Sequence, residues 1–244
     1  MTIEEAMFEF YEGVTVLGPG SEVTTNKLLK LVPNHNNIKQ ALDIGCGTGR
    51  STFALANTGI HTTAIDVYQP FLDYINKTAR QKGLQDNIKT MQSSMDSLDL
   101  PEKSFDLVWS EASAYSMGFH NALRYWKEFL KPDGYVVVTE LCWTSDKPSK
   151  EIAKFWSEEY TGMKNISELK STIKACGYKI VSYFKLPESD WQNYYIPLKL
   201  RVNEYQNDNR PAMQYVIKQT LKEITMREKH ASDYAYYAFV ITPY

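Results

Sequence analysis

Eleven residues near the start of the chain constrain its fold more than any other feature. Residues 40–50 read Gln-Ala-Leu-Asp-Ile-Gly-Cys-Gly-Thr-Gly-Arg, so an apolar segment leads directly into three alternating glycines. Glycines in a tight turn allow unusual backbone angles and let the backbone approach a ligand closely. The residues that follow, at 53–56, are typical of a helix, and the start of a helix offers unpaired N–H groups. The segment therefore predicts a strand, a glycine turn and a helix arranged for ligand binding.

The spacing of the glycines indicates which ligand the turn suits. A dinucleotide-binding turn reads G-x-G-x-x-G, whereas a single residue separates Gly47 from Gly49 here. Asp43 lies within the predicted strand, where its carboxylate would repel a pyrophosphate and attract a ligand with a positive centre. Asp66 ends a second apolar run, 62–65, and an acid in that place can bind two ribose hydroxyls. The turn therefore suits an adenosine that carries a cationic group.

Residues 42–49, Leu-Asp-Ile-Gly-Cys-Gly-Thr-Gly, resemble the first motif of the class I S-adenosylmethionine-dependent methyltransferases. The small-molecule branch that includes the ubiquinone and menaquinone methyltransferases is the most similar. Two later matches keep the family's order: Phe-Asp-Leu-Val at 105–108, and Leu-Lys-Pro-Asp-Gly at 130–134, where Asp133 replaces a glycine. The resemblance covers residues 38–143, with weaker continuation beyond.

The resemblance implies a fold, an activity and a cofactor. The fold is α/β, a Rossmann-like doubly wound seven-stranded sheet, mostly parallel with an antiparallel last strand. The activity is transfer of a methyl group from S-adenosylmethionine to a small-molecule acceptor, an amine or aromatic N- or O-nucleophile, with S-adenosylhomocysteine as product. Family members that methylate nucleic-acid bases carry Asn/Asp-Pro-Pro-Tyr where this chain has Ser-Glu-Ala-Ser at 110–113, so a base is not the expected acceptor.

The resemblance also assigns residues to the cofactor. Met95 would lie against the adenine ring, and Asp96 would accept from its exocyclic amine, unless Asp96 is an ordinary turn residue. Tyr11 and residues 18–21 could fold over the cofactor or form only a packing helix and a surface turn. The full set of predicted cofactor residues is Asp43, Gly45, Gly47, Gly49, Asp66, Val67, Ser94, Met95, Asp96, Ser110 and Glu111.

Two residues are candidate acid–base groups. Glu111 follows the predicted fourth strand, and ligands of open α/β sheets bind outside the carboxyl ends of the strands. It could orient the methionine end of the cofactor, hold a substrate amine, accept a proton, or be a solvated loop acid. His120 could be a base or a helix cap. The predicted substrate contacts are Tyr115, Trp143 and Tyr195, and we expect no metal.

The late part of the chain is rich in tyrosine, which could pack the core or line a pocket for a flat ring or a cation. Residues 187–232 are too long for a hairpin loop and predict a helical insertion, which would cover the site as a lid. We therefore expect an N-terminal helical segment at 1–36, a core at 37–186 and 233–244, and the lid within the same domain.

Composition argues against several classes of protein. The net charge of −2 and the pI of 6.1 give no electrostatic basis for nucleic-acid binding. No apolar run predicts a membrane span. The acidic N-terminus and the three widely spaced cysteines favour a reducing, cytoplasmic location, for a monomer or a homodimer. Two other functions stay open, a non-catalytic S-adenosylmethionine-binding module and a nicotinamide oxidoreductase, and cofactor binding and turnover would separate them.

Overall fold

A computed structural model describes residues 1–244 as one mixed sheet with helices on both faces. The strands are β1 (Gln40–Ile44), β2 (His61–Asp66), β3 (Ile88–Gln92), β4 (Phe105–Ser110), β5 (Leu130–Trp143), β6 (Lys164–Asn165), β7 (Tyr178–Lys185) and β8 (Tyr234–Pro243). The helices are α1 (Ile3–Tyr11), α2 (Glu22–Leu31), α3 (Arg50–Ala56), α4 (Gln69–Lys82), α5 (Phe119–Trp126), α6 (Lys150–Glu159), α7 (Ile166–Ala175), α8 (Glu188–Glu204) and α9 (Pro211–His230). None of the helices is both long and apolar enough to cross a membrane.

The sheet has the order β3-β2-β1-β4-β5-β8-β7. The strands from β3 to β5 are parallel, and β8 lies antiparallel between β5 and β7. The predicted doubly wound sheet with an antiparallel last strand is therefore confirmed. The sheet has eight strands rather than seven, because the two residues of β6 pair with the end of β5. The chain reverses its direction of winding between β1 and β4, where such sheets bind ligands.

Both faces of the sheet are covered, which explains the apolar sequence of β5. Val136 and Val138 belong to a buried cluster with residues of α5 and α7. Val137, between them, belongs to the cluster on the opposite face, which includes residues of α1, α2, α8 and α9. All three valines are fully buried, as expected for a strand between two helical layers.

Residues 187–232 form the two predicted helices, and Arg201 of α8 ties them to the N-terminal helix. Its guanidinium donates to the backbone carbonyls of Phe10 (2.7 Å), Glu12 (2.9 Å) and Glu9 (3.1 Å). The last carbonyls of a helix have no partner within the helix. Arg201 therefore satisfies the C-terminal end of α1 from a helix about 190 residues away in sequence.

Replacing Arg201 with alanine should loosen α1, because the loss of these bonds costs about 2 kcal/mol. We expect faster amide hydrogen exchange in residues 3–11 in Arg201→Ala. The matched control is Lys199→Ala, which removes an exposed ion pair with Glu228 worth at most about 1 kcal/mol. Unchanged exchange in α1 would show that its attachment does not depend on Arg201.

Candidate active site

Two adjoining cavities open at the carboxyl ends of the parallel strands. The first, the loop cavity, has a volume of about 810 Å³ and is lined by the glycine turn and by Arg50, Asp66, Met95 and Glu111, among others. The second, the aromatic cavity, has a volume of about 750 Å³ and lies between α6, α8, α9 and the sheet. Three residues line both cavities, so the two adjoin: Leu17, Gly18 and Ala112.

The glycine turn has the geometry that the sequence predicts. Gly45, Gly47 and Gly49 have positive φ angles of 68°, 52° and 88°. A Cβ atom at Gly47 would lie 2.8 Å from Leu17 Cδ1, and one at Gly45 would lie 2.6 Å from the side chain of Ser113. Residues with a side chain are therefore excluded there by conformation and by space. Gly49 lies behind the cavity, where a Cβ atom would meet Ile75.

Asp66 connects the end of β2 to the glycine turn. Its Oδ2 accepts the N–H of Gly47 at 2.9 Å, and its Oδ1 accepts the N–H of Tyr68 at 3.0 Å. The carboxylate lines the loop cavity, so it is available to hydroxyl donors of a ligand. Asp66 thus holds the glycine turn in place and also lines the cavity.

Asp43 lies beneath the turn and does not line either cavity, contrary to its expected place beside the ligand. It is 1% exposed, and its Oδ2 accepts the hydroxyl protons of Ser51 (2.7 Å) and Thr52 (2.6 Å). Burial raises the pKa of Asp43 to about 7. Its contacts hold β1 against the start of α3, so its role in the structure is to support the glycine turn.

An ion pair between Arg50 and Glu111 lies in the lining of the loop cavity. Arg50 Nη2 lies 2.8 Å from Oε2 of Glu111, whose side chain is 5% exposed. The other oxygen of Glu111 accepts from Thr25 Oγ1 (2.7 Å) and Trp109 Nε1 (2.9 Å). Both oxygens of Glu111 are thus occupied within the chain, which suits a role in positioning Arg50. The sequence reasoning missed Arg50, although its place directly after the glycines could have suggested it.

The other predicted cofactor residues divide into those that line the loop cavity and those that do not. Met95 and the exposed Val67 line the loop cavity. Ser94 and Asp96 line neither cavity and bond to each other at 2.6 Å in an exposed turn. Ser110 is fully buried behind the wall, 2.6 Å from the hydroxyl of Ser113. Ser113, which was not predicted, lines the cavity instead.

The segment between α1 and α2, residues 12–21, crosses the glycine turn. Thr48 Oγ1 donates to the carbonyl of Thr15 at 2.9 Å, and Leu17 covers Gly47. The backbone N–H of Gly20 donates to the carbonyl of Asp190 in α8 at 3.1 Å. Gly18 lines both cavities, in agreement with its predicted closeness to the cofactor. Tyr11, predicted with it, lines neither cavity.

The aromatic cavity is lined by seven aromatic residues and two carboxylates, Glu159 and Glu223, without a basic residue. Tyr194 and Trp191, both from α8, and Glu223 from α9 had not been predicted. Burial raises the pKa of Glu223 to about 7. The aromatic members are Tyr115, Phe155, Trp156, Tyr160, Trp191, Tyr194 and Tyr236.

Three predicted residues lie away from both cavities. His120 is exposed on the first turn of α5, with its ring 3.4 Å from the Asn121 amide oxygen. Trp143 is half-buried at the end of β5, paired with Tyr234. Tyr195 is buried behind the aromatic cavity, where its hydroxyl donates to Glu223 Oε1 at 3.0 Å. Of the predicted substrate contacts, only Tyr115 lines the aromatic cavity.

Known proteins share this fold and this domain. Residues 42–138 match the family model described as "Methyltransferase domain". A sterol 24-C-methyltransferase of Gibberella zeae is 26% identical over 160 residues, which cover 62% of this chain and 42% of the relative. A demethylmenaquinone methyltransferase of Lactobacillus johnsonii is 32% identical over 129 residues, which cover 49% of either chain. This chain therefore spans half or less of the length of these two relatives.

A solved structure extends the likeness over the whole chain. The S-adenosylmethionine-dependent methyltransferase from Thiobacillus denitrificans, in complex with S-adenosyl-L-homocysteine, superposes with a TM-score of 0.83 at 17% identity and covers 100% of both chains. The resemblance read from the glycine motif is confirmed. Residues 42–138 match a methyltransferase domain, and the whole chain shares its fold with this S-adenosylmethionine-dependent methyltransferase.

Proposed function

We propose that the chain transfers a methyl group from S-adenosylmethionine, bound in the loop cavity, to a small-molecule acceptor bound in the aromatic cavity. The observation that carries this proposal is that the two cavities adjoin, because Leu17, Gly18 and Ala112 line both of them. Methyl transfer requires the acceptor atom and the methyl group to meet in line at near-contact distance. Ligands in two adjoining cavities can meet where the cavities join, beside these three residues.

The chemistry of the loop cavity fits the cofactor. Asp66 offers carboxylate oxygens to the two ribose hydroxyls, and Met95 and Val67 offer apolar contacts to the adenine. Arg50 offers a guanidinium to the carboxylate of the methionine end, since guanidinium and carboxylate pair well. The glycine turn leaves the space that side chains would fill. These features support S-adenosylmethionine and its product as the ligands.

The protein then has to position the reactants and exclude water. When bound, S-adenosylmethionine supplies a methyl group already activated by its positively charged sulfur. Aromatic side chains from α6 and α8 shield the acceptor side, and residues 12–21 cross the cofactor side. We include the predicted lid, residues 187–232, in this proposal, because Trp191, Tyr194 and Glu223 of that segment line the acceptor cavity.

A calorimetric titration with S-adenosylmethionine and S-adenosylhomocysteine tests the proposal. We expect both to bind, and Gly47→Ala to lose at least about tenfold in affinity, because its Cβ atom would displace Leu17. The matched control is Gly59→Ala, at φ +84° with nothing within 4 Å of the new Cβ atom. This variant has the same backbone strain at a position away from the site, so it should bind both compounds normally. If the wild-type chain binds neither compound, the proposal is wrong.

A further inference from the structure

We propose that the acceptor is a cationic amine carried on an apolar body without an anionic group, and that Glu223 binds the amine. This inference rests on the proposed function, because it assigns the chemical class of the ligand in the aromatic cavity. The charge and the aromatic walls of that cavity support it.

The charge of the cavity favours a cation. Its lining contains Glu159 and Glu223 but no lysine, arginine or histidine. The faces of aromatic rings also attract cations, and seven aromatic residues line the walls. The neighbouring guanidinium of Arg227 does not line the cavity. It lies 3.8 Å from the centroid of the Trp191 ring and donates to the carbonyl of Tyr234. An acceptor with a phosphate or carboxylate would therefore find no counter-charge.

Of the two carboxylates, Glu223 is placed to bind the amine. Glu159 is exposed at the rim, whereas Glu223 is half-buried. The hydroxyl of Tyr195, behind the wall, donates to Glu223 Oε1 at 3.0 Å and so fixes the orientation of the carboxylate. A carboxylate held in this way can receive an ammonium group without having to reorganise.

Methyl transfer to an amine accounts for every proton and every charge. The ammonium group gives one proton to the Glu223 carboxylate, and the nitrogen lone pair forms the new bond to the methyl carbon. The electron pair of the broken carbon–sulfur bond stays on sulfur, which becomes a neutral thioether. Glu223 is then a neutral carboxylic acid, and the positive charge has passed from sulfur to the methylated nitrogen, where the faces of the aromatic rings stabilise it.

The affinity for an amine should depend on pH. Burial raises the pKa of Glu223 to about 7, so the carboxylate becomes protonated as the pH falls from 8 to 6. The titratable and charged groups around it are Glu159 of α6, Arg227 of α9 and six tyrosines: Tyr11, Tyr115, Tyr194, Tyr195, Tyr234 and Tyr236. Burial raises the pKa values of the six tyrosines, which stay neutral in this range. Amine binding should therefore weaken towards pH 6.

Three probes of one shape test the inference on the chain saturated with S-adenosylhomocysteine. They are tyramine, its alcohol analogue tyrosol, and 4-hydroxyphenylacetate. By calorimetry at pH 8, we expect tyramine to bind at least about tenfold tighter than either analogue. Glu223→Gln should lose about tenfold in tyramine affinity, lose the pH dependence, and bind tyrosol and S-adenosylhomocysteine as before. Glu228→Gln, an exposed position of the same helix paired with Lys199, should change nothing.

The outcomes separate this inference from the proposed function. If S-adenosylhomocysteine binds but the three probes bind equally, or the acid binds best, the amine inference is wrong and the cofactor proposal stands. A Glu223→Gln variant that keeps both its cofactor affinity and its full preference for tyramine overturns the role of Glu223. If S-adenosylhomocysteine itself does not bind the wild-type chain, the proposed function fails, and this inference fails with it.

Discussion

Asp66→Ala is expected to lower the affinity for S-adenosylmethionine by about a hundredfold or more, the largest loss at any single position of the loop cavity. Two effects add in this variant. Hydrogen bonds to a charged group contribute about 1.5–3 kcal/mol each, and the two proposed ribose bonds disappear together. The N–H groups of Gly47 and Tyr68 also lose the acceptor that holds the turn beside β2.

Calorimetry with S-adenosylmethionine, together with a thermal melt of each variant, measures this effect. Asp66→Asn keeps one carbonyl oxygen as an acceptor and should show an intermediate loss. Asp73→Ala removes an exposed carboxylate of α4 that bonds only to Gln69, and it should bind normally. An Asp66→Ala chain that melts like the wild type and keeps its affinity would remove Asp66 from the site.

The features that could be predicted from the sequence are those that local geometry determines. A glycine turn between an apolar strand and a helix has few possible conformations, so the places of Gly45 and Gly47 followed from the motif. Asp66 followed as well, because the ends of adjacent parallel strands meet at one edge of a sheet. The order of the strands was not a local property. The strand order was expected from the resemblance to the family, and the structure confirms it.

The features that could not be predicted depend on residues that are distant in sequence. Glu111 looked like a free carboxylate, but its partners Thr25 and Arg50 lie 86 and 61 residues away. The spacing of aromatic residues in α8 predicted a helix but not which side chain lines a cavity. Tyr195, the predicted one, faces Glu223 from behind, whereas Trp191 lines the cavity. That difference is set by how α8 packs on α9 and the sheet.

The free energy of unfolding is expected to fall as the pH rises from about 5 to about 8. Burial raises the pKa of Asp43 and Glu223 to about 7 and that of Glu140 to about 8, each well above its usual value. In this range the folded chain therefore binds more protons than the unfolded chain, so a rise in pH favours unfolding. Carboxylates whose pKa is lowered, such as Asp106 beside Lys131, lose their protons below this range and do not offset the effect.

Glu140→Gln should remove the largest part of that fall. Glu140 is 1% exposed, and burial raises its pKa more than the neighbouring Tyr160 hydroxyl and Leu141 N–H lower it, so its ionisation destabilises the folded chain. The amide is neutral at every pH and should leave the variant more stable than the wild type at pH 8 by about 2 kcal/mol, with little difference at pH 5. Urea unfolding at both pH values measures this, with the exposed Glu102→Gln as the control. A variant no more stable than the wild type at pH 8 would mean that Glu140 ionises without cost, and that the buried end of β5 is accessible to water.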